Sequence, residues 1–81
     1  MKVKVLKPVF AESASLVVNK ANQFEETILF KKEHWVVDAK SLLGILALSL
    51  QPDQTVEILV KDTDNKEVYA ELLNTGLFKT L

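Results

Sequence analysis

Hydrophobic and polar positions alternate from the first residues of the chain. Lys2, Lys4 and Lys7 fall around Val3, Val5 and Leu6, a near period-two pattern that predicts a strand with one buried face, ended by Pro8. From Phe10 the period changes. Phe10, Ala14, Val17, Ala21 and Phe24 follow at intervals of four, three, four and three, which places them on one stripe of a first helix. Within that segment Leu16-Val17-Val18 would also suit a short strand, whereas the alanines and Asn19-Lys20 around it favour helix.

Two short β-rich runs follow, Thr27 to Lys31 and Trp35 to Asp38, and the polar break Lys32-Glu33-His34 between them predicts a hairpin. Ser41 then stands as an N-cap before the apolar helical run Leu42, Leu43, Ile45, Leu46, Ala47, Leu48 and Leu50, closed by Pro52-Asp53. Between Thr55 and Lys61, Val56, Ile58 and Val60 fall on one face and Glu57 and Lys61 on the other, interrupted by Leu59, and predict a fourth strand. Asp64 with Glu67 three residues on resembles a capping box. Val68, Leu72 and Leu73 continue as an apolar stripe, and Gly76 offers a left-handed terminus, so the last helix is expected to end near Thr75. The order β-α-β-β-α-β-α predicts an α+β domain over residues 1–81, with a four-stranded antiparallel sheet covered on one face by three helices.

Composition narrows the function. Eighty-one residues form one small domain, and no linker or low-complexity stretch interrupts it. There is no cysteine, and the single His34 cannot build a metal site alone. Ten lysines balance eleven acids and there is no arginine, so nothing supplies the basic excess or the guanidinium groups that nucleic-acid recognition uses. No apolar run approaches the roughly 18 residues that span a bilayer. The opening residues alternate charge and hydrophobicity where a signal peptide would carry an apolar core, and a soluble cytoplasmic protein without metal or cofactor is expected.

Few residues could carry chemistry. The lone histidine lies in the predicted hairpin turn, where it reads as an exposed turn residue, and no activated nucleophile or triad is in view. Glu25-Glu26 and Asp62-Asp64 read as solvated turn or cap carboxylates. Gly44 and Gly76 stand alone and make no phosphate-cradling loop. The middle helix differs. Leu42, Leu43, Ile45, Leu46, Leu48 and Leu50 occupy more of its circumference than one buried stripe needs, so it either lies flat on the sheet or presents an apolar docking patch. Ser41 likewise has two readings, an ordinary N-cap and a regulatory phosphoacceptor at a helix N-terminus.

The segment Lys40-Ser41-Leu42-Leu43-Gly44-Ile45-Leu46-Ala47-Leu48 resembles the regulatory-serine helix of HPr, the histidine-containing phosphocarrier of the bacterial sugar phosphotransferase system, which reads Lys-Ser-Ile-Met-Gly-Val-Met-Ser-Leu there. Pro52-Asp53-Gln54-Thr55-Val56-Glu57-Ile58 resembles the family's entry into its fourth strand, and Ala14 to Ala21 falls on its first helix. The resemblance covers nearly the whole chain and implies an open-faced β-sandwich. In the same register Phe10 stands where the family carries its phosphorylated histidine, Glu12 where it carries an arginine, and Ser13 where it carries a proline.

What the resemblance implies is therefore a protein without the relay chemistry, similar to the catabolite-repression HPr-like proteins that have also lost the histidine. Phe10 has no nucleophilic atom, and Glu12 would repel an incoming phosphate. His34 is not expected to substitute, being placed across the fold from the first helix. In such relatives a kinase phosphorylates the serine and the product binds a transcriptional regulator. Carried over, Ser41 is the phosphoacceptor, Leu42, Leu43, Ile45 and Leu46 are the docking surface, and the expected partners are an HPr kinase or a regulator. Glu12 in place of the arginine favours kinase recognition over full corepressor function. The alternatives are a constitutive interaction module without phosphorylation, and a residual phosphocarrier that uses another residue. A homodimer formed by exchange of the first strand is a further expectation, because that strand leads through the short Pro8 loop.

Overall fold

The computed structural model describes residues 1–61 and 65–81 of the chain. Its elements run β1 (Lys2–Val5), α1 (Glu12–Ala21), β2 (Ile28–Lys32), β3 (Trp35–Asp38), α2 (Leu42–Leu48), β4 (Thr55–Val60), α3 (Lys66–Leu73) and β5 (Phe78–Thr80). The strands form one antiparallel sheet in the order β3-β2-β4-β1-β5. Period-two patterning decides which face is covered. Val3 and Val5, Ile28 and Phe30, and Val56 and Ile58 turn toward the helices and are fully buried. Ala14, Val17, Ala21, Ile45, Leu48, Val68 and Leu72 meet them from the helix side in a single core. Lys2, Lys31 and Thr55 lie on the other, solvated face.

Each predicted element is present, and the architecture differs from expectation in three places. The sheet has five strands instead of four, because β5 pairs with β1, Val5 opposite Phe78 and Val3 opposite Thr80. The first helix is shorter than its apolar stripe. Ala11 takes φ 52° and ψ −120°, outside helical geometry, so Phe10 precedes the helix and Phe24 follows it on a turn in which its amide donates to Ala21 at 3.2 Å. The last helix stops at Leu73, with Asn74 as its C-cap. The Asp64 cap and the Asp62-Asp64 pair expected from sequence lie outside the described residues. At the start of α3 it is Asn65 whose side-chain oxygen accepts from the Glu67 amide at 3.0 Å.

The short helix α2 is pinned closely to the sheet edge. Gly44 carries no side chain where a Cβ would come within 3.1 Å of the Val37 Cβ on β3. At its other end Ser49 closes α2 in the left-handed region, and the Lys32 ammonium donates to the Leu48 carbonyl at 2.8 Å. That cation lies where the free carbonyls of a helix end concentrate negative charge. No helix among the described residues is long and apolar enough to cross a membrane.

Candidate functional site

The corner between β1 and α1 is built by local hydrogen bonds. Phe10 donates its amide to Ser13 Oγ at 3.0 Å, and that hydroxyl faces the carbonyls of Pro8 at 3.0 Å and Phe10 at 2.9 Å, one of which accepts its proton. Ser13 thus braces the turn that delivers Phe10 to the surface, where the ring is 61% exposed. Glu12, exposed and acidic, is the first residue of α1 and occupies the end of the helix that favours an anion. Pro8, Phe10, Ala11, Glu12 and Ser13 border a shallow hollow, and Glu12, Ser13, Ser15, Leu16 and Asn19 border another along the exposed side of α1. Neither rim includes histidine, lysine or arginine.

The second part of the site is α2. Ser41 adopts an extended backbone and its Oγ accepts from the Gly44 amide at 3.1 Å, the geometry of an N-cap. Asp38 Oδ1 accepts from the Lys40 amide at 2.8 Å and fixes the approach to Ser41. Of the four apolar residues assigned to docking, Leu43 is 80% exposed and Leu42 is 41% exposed. Leu46 is half-buried against the core. Ile45 is fully buried and belongs to the core, so the structure removes it from the exposed set.

The two parts are joined through the backbone. Val9, beside Phe10, forms an isolated antiparallel bridge with Leu50 just beyond α2, and its amide donates to the Leu50 carbonyl at 2.9 Å. Helices α1 and α2 also pack against each other. It is the exit of α2 that is tied to the Phe10 corner, while Ser41 lies at the helix entry.

His34 sits in the turn between β2 and β3 and is exposed. The registers Lys31 opposite Glu57 and Lys2 opposite Glu57 put this turn at the same end of the sheet as the Phe10 corner, with β4 between β2 and β1. The His34 turn therefore shares one end of the sheet with the corner that opens the first helix. It is separated from that corner across the sheet rather than along it. Among the described residues, no group of histidine and carboxylate side chains is placed to hold a metal ion.

Sequence reading missed two positioning residues. Lys32 faces the helices in register with buried Ile28 and Phe30 and caps α2 from the sheet. Asn65 links α3 to the loop before β2, its Nδ2 donating to Glu26 Oε2 at 2.8 Å. That hydrogen bond is the main reason the Glu26 carboxyl titrates below its ordinary range, supported by the backbone and by Lys40.

An antiparallel sheet with three helices on one face, a helix-start corner at Phe10 and a serine-capped short helix define the open-faced β-sandwich of the small phosphocarrier proteins. Residues 2–75 match the PTS-HPr family, described as the PTS HPr component phosphorylation site, and the chain belongs to that family. It is 29% identical over 73 residues to the HPr-like protein Crh of Halalkalibacterium halodurans, covering 90% of this chain and 87% of that protein. The phosphocarrier protein HPr of Bacillus anthracis superposes with a TM-score of 0.84 at 28% identity, covering 93% of this chain and 92% of that one. The catabolite-repression protein Crh of Bacillus subtilis, solved as a dimer with a swapped domain, superposes with a TM-score of 0.73 at 26% identity, covering 89% and 80% of the two chains.

Proposed function

We propose that the chain is a non-catalytic cytoplasmic HPr-like regulator in carbon catabolite control, phosphorylated on Ser41 and recognised by protein partners through Leu42 and Leu43, with Leu46 supporting the surface from below. The observation that carries this reading is the pairing of an aromatic ring at Phe10 with an intact serine-capped α2. Phosphoryl relay at the helix corner needs an imidazole nitrogen as acceptor and cationic donors to hold the arriving charge. Phe10 offers no acceptor atom, and the carboxylate of Glu12 opposes the charge. Ser41 keeps its hydroxyl at a helix entry whose first turn contains no acidic residue and which Lys40 precedes. A phosphate there would meet the free amides of the helix end without a competing carboxylate in that turn.

The exposed Leu42 and Leu43 next to Ser41 support docking at the same place, because an apolar pair that contributes little to the core is available to a partner. An HPr kinase and a transcriptional regulator are the partners this reading names. Ser41 already serves as a cap, and this favours a second reading, constitutive docking through α2 with the serine unmodified.

Incubation with ATP and an HPr kinase separates the two. The proposed function predicts one phosphoryl group per chain, lost in Ser41→Ala, and an unmodified wild-type mass leaves only constitutive docking. Parallel exposure to phosphoenolpyruvate and the first enzyme of the sugar relay should give no acid-labile label. A stoichiometric label on His34 would restore the phosphocarrier reading.

A further inference from the structure

The strand that sequence reading missed covers one of the two edges of the sheet. Without β5, β1 would be an edge strand of four residues with Lys and Val alternating, and the backbone groups of alternate residues on its outer side would be free to pair with another strand. In the fold β5 takes that edge. Leu6 donates to the Leu77 carbonyl at 2.8 Å and Leu81 donates to the Lys2 carbonyl at 3.2 Å, and Lys4 lies opposite Lys79 between them. Antiparallel alternation makes Lys4 and Lys79 the hydrogen-bonded pair of this ladder.

The cover is held by few contacts. Leu77 and Phe78 are buried, and the Phe78 ring meets Phe30 edge-on at 5.6 Å between centroids. Lys79, Thr80 and Leu81 are exposed. Gly76, at φ 78°, turns the chain from α3 into the strand, a conformation that favours glycine. Once β5 is in place the sheet ends in a three-residue strand carrying an exposed lysine, the kind of short, charged edge that resists further pairing.

We propose that β5 is an intramolecular latch that keeps the chain monomeric by occupying the outer edge of β1, and that releasing it lets this edge pair with the same edge of a second copy. Association through the outer edge of β1 has to displace β5 first. Lys2 and Lys4 would approach their counterparts across such a contact, so the association strengthens as salt screens them.

The test is the mass in solution of the full chain and two full-length variants, measured by light scattering over a concentration series at low and high salt. Lys79→Pro removes the central ladder donor, and Phe78→Ser/Lys79→Pro also removes the aromatic anchor. The wild type should hold the 9.1 kDa monomer mass throughout. Both variants should double it reversibly, the double variant at lower concentration, and both more readily at high salt. A dimeric wild type, variants that remain at monomer mass, or variants that form only heterogeneous aggregates each overturn the latch.

Discussion

Ser41 Oγ lies 3.1 Å from the Gly44 amide nitrogen, which donates to it across the first turn of α2. One hydroxyl thus serves both as a structural cap and as the proposed phosphoacceptor, and the two roles separate by substitution. Ser41→Ala should lower unfolding free energy by about 1 kcal/mol, while Ser41→Asp, which can still accept from that amide, should remain close to wild type. For a domain of this size the Ala variant should melt about 4 to 8 °C lower, read from thermal unfolding by circular dichroism.

Leu43 and Ile45 sit two residues apart on α2 and differ fully in exposure. Leu43→Ala should change stability by no more than about 0.5 kcal/mol and should weaken partner binding. Ile45→Ala should cost about 2 to 5 kcal/mol through the cavity it leaves, which denaturant unfolding would register. Equal destabilisation by the two would contradict the assignment of Leu43 to a docking surface.

The backbone at Ala11 is held at φ 52°, a region that L-residues seldom occupy. Ala11→Gly should relieve that strain and offset the greater freedom of glycine in the unfolded chain, for a net gain of about 1 kcal/mol. A lower midpoint in urea would show that the corner carries no such strain.

Charge at the helix corner gives a gain-of-function test. Phe10→His restores an acceptor nitrogen but leaves Glu12 beside it, and Phe10→His/Glu12→Arg should accept label from phosphoenolpyruvate and the first relay enzyme about tenfold faster than the single variant. Equal rates would show that Glu12 does not oppose the arriving phosphate.

Asn65 donates to Glu26 while its oxygen caps α3, and this arrangement has a pH signature. The Glu26 carboxyl is lowered chiefly by that donated hydrogen bond. Its contribution to stability is therefore fully present above the carboxyl's unfolded pKa and fades as pH falls through the lower folded value. Asn65→Ala should raise the Glu26 midpoint, followed by NMR titration, and should weaken α3 even at neutral pH because the cap is lost. An unmoved midpoint would place the cause of the shift elsewhere.

Much of the fold was legible because it rests on periodicity. Val3 and Val5, and Val56 and Ile58, alternate with polar residues and proved to be the buried faces of β1 and β4. Ser41 before an apolar run marked the start of α2 correctly. Phe78-Lys79-Thr80 was missed because three residues cannot display an alternation, and Gly76 reads equally well as the end of a helix or the start of a return strand. Phe10 and Phe24 fit the helical stripe and still lie outside α1, since the turn at Ala11 is set by the Ser13 hydroxyl and not by hydrophobic spacing. Ile45 was counted with its exposed neighbours because leucine and isoleucine at adjacent positions blur which side of a short helix faces the sheet. Lys32 was assigned to a turn, and only the packing of α2 over β2 reveals the carbonyl it reaches.

The most direct measurement of the central claim is the intact mass of the wild-type chain after incubation with ATP and an HPr kinase, with fragment mapping of any added phosphate. One phosphoryl group located on Ser41 and missing from Ser41→Ala is the predicted result. An unmodified chain, or a phosphate mapped to another residue, would contradict it.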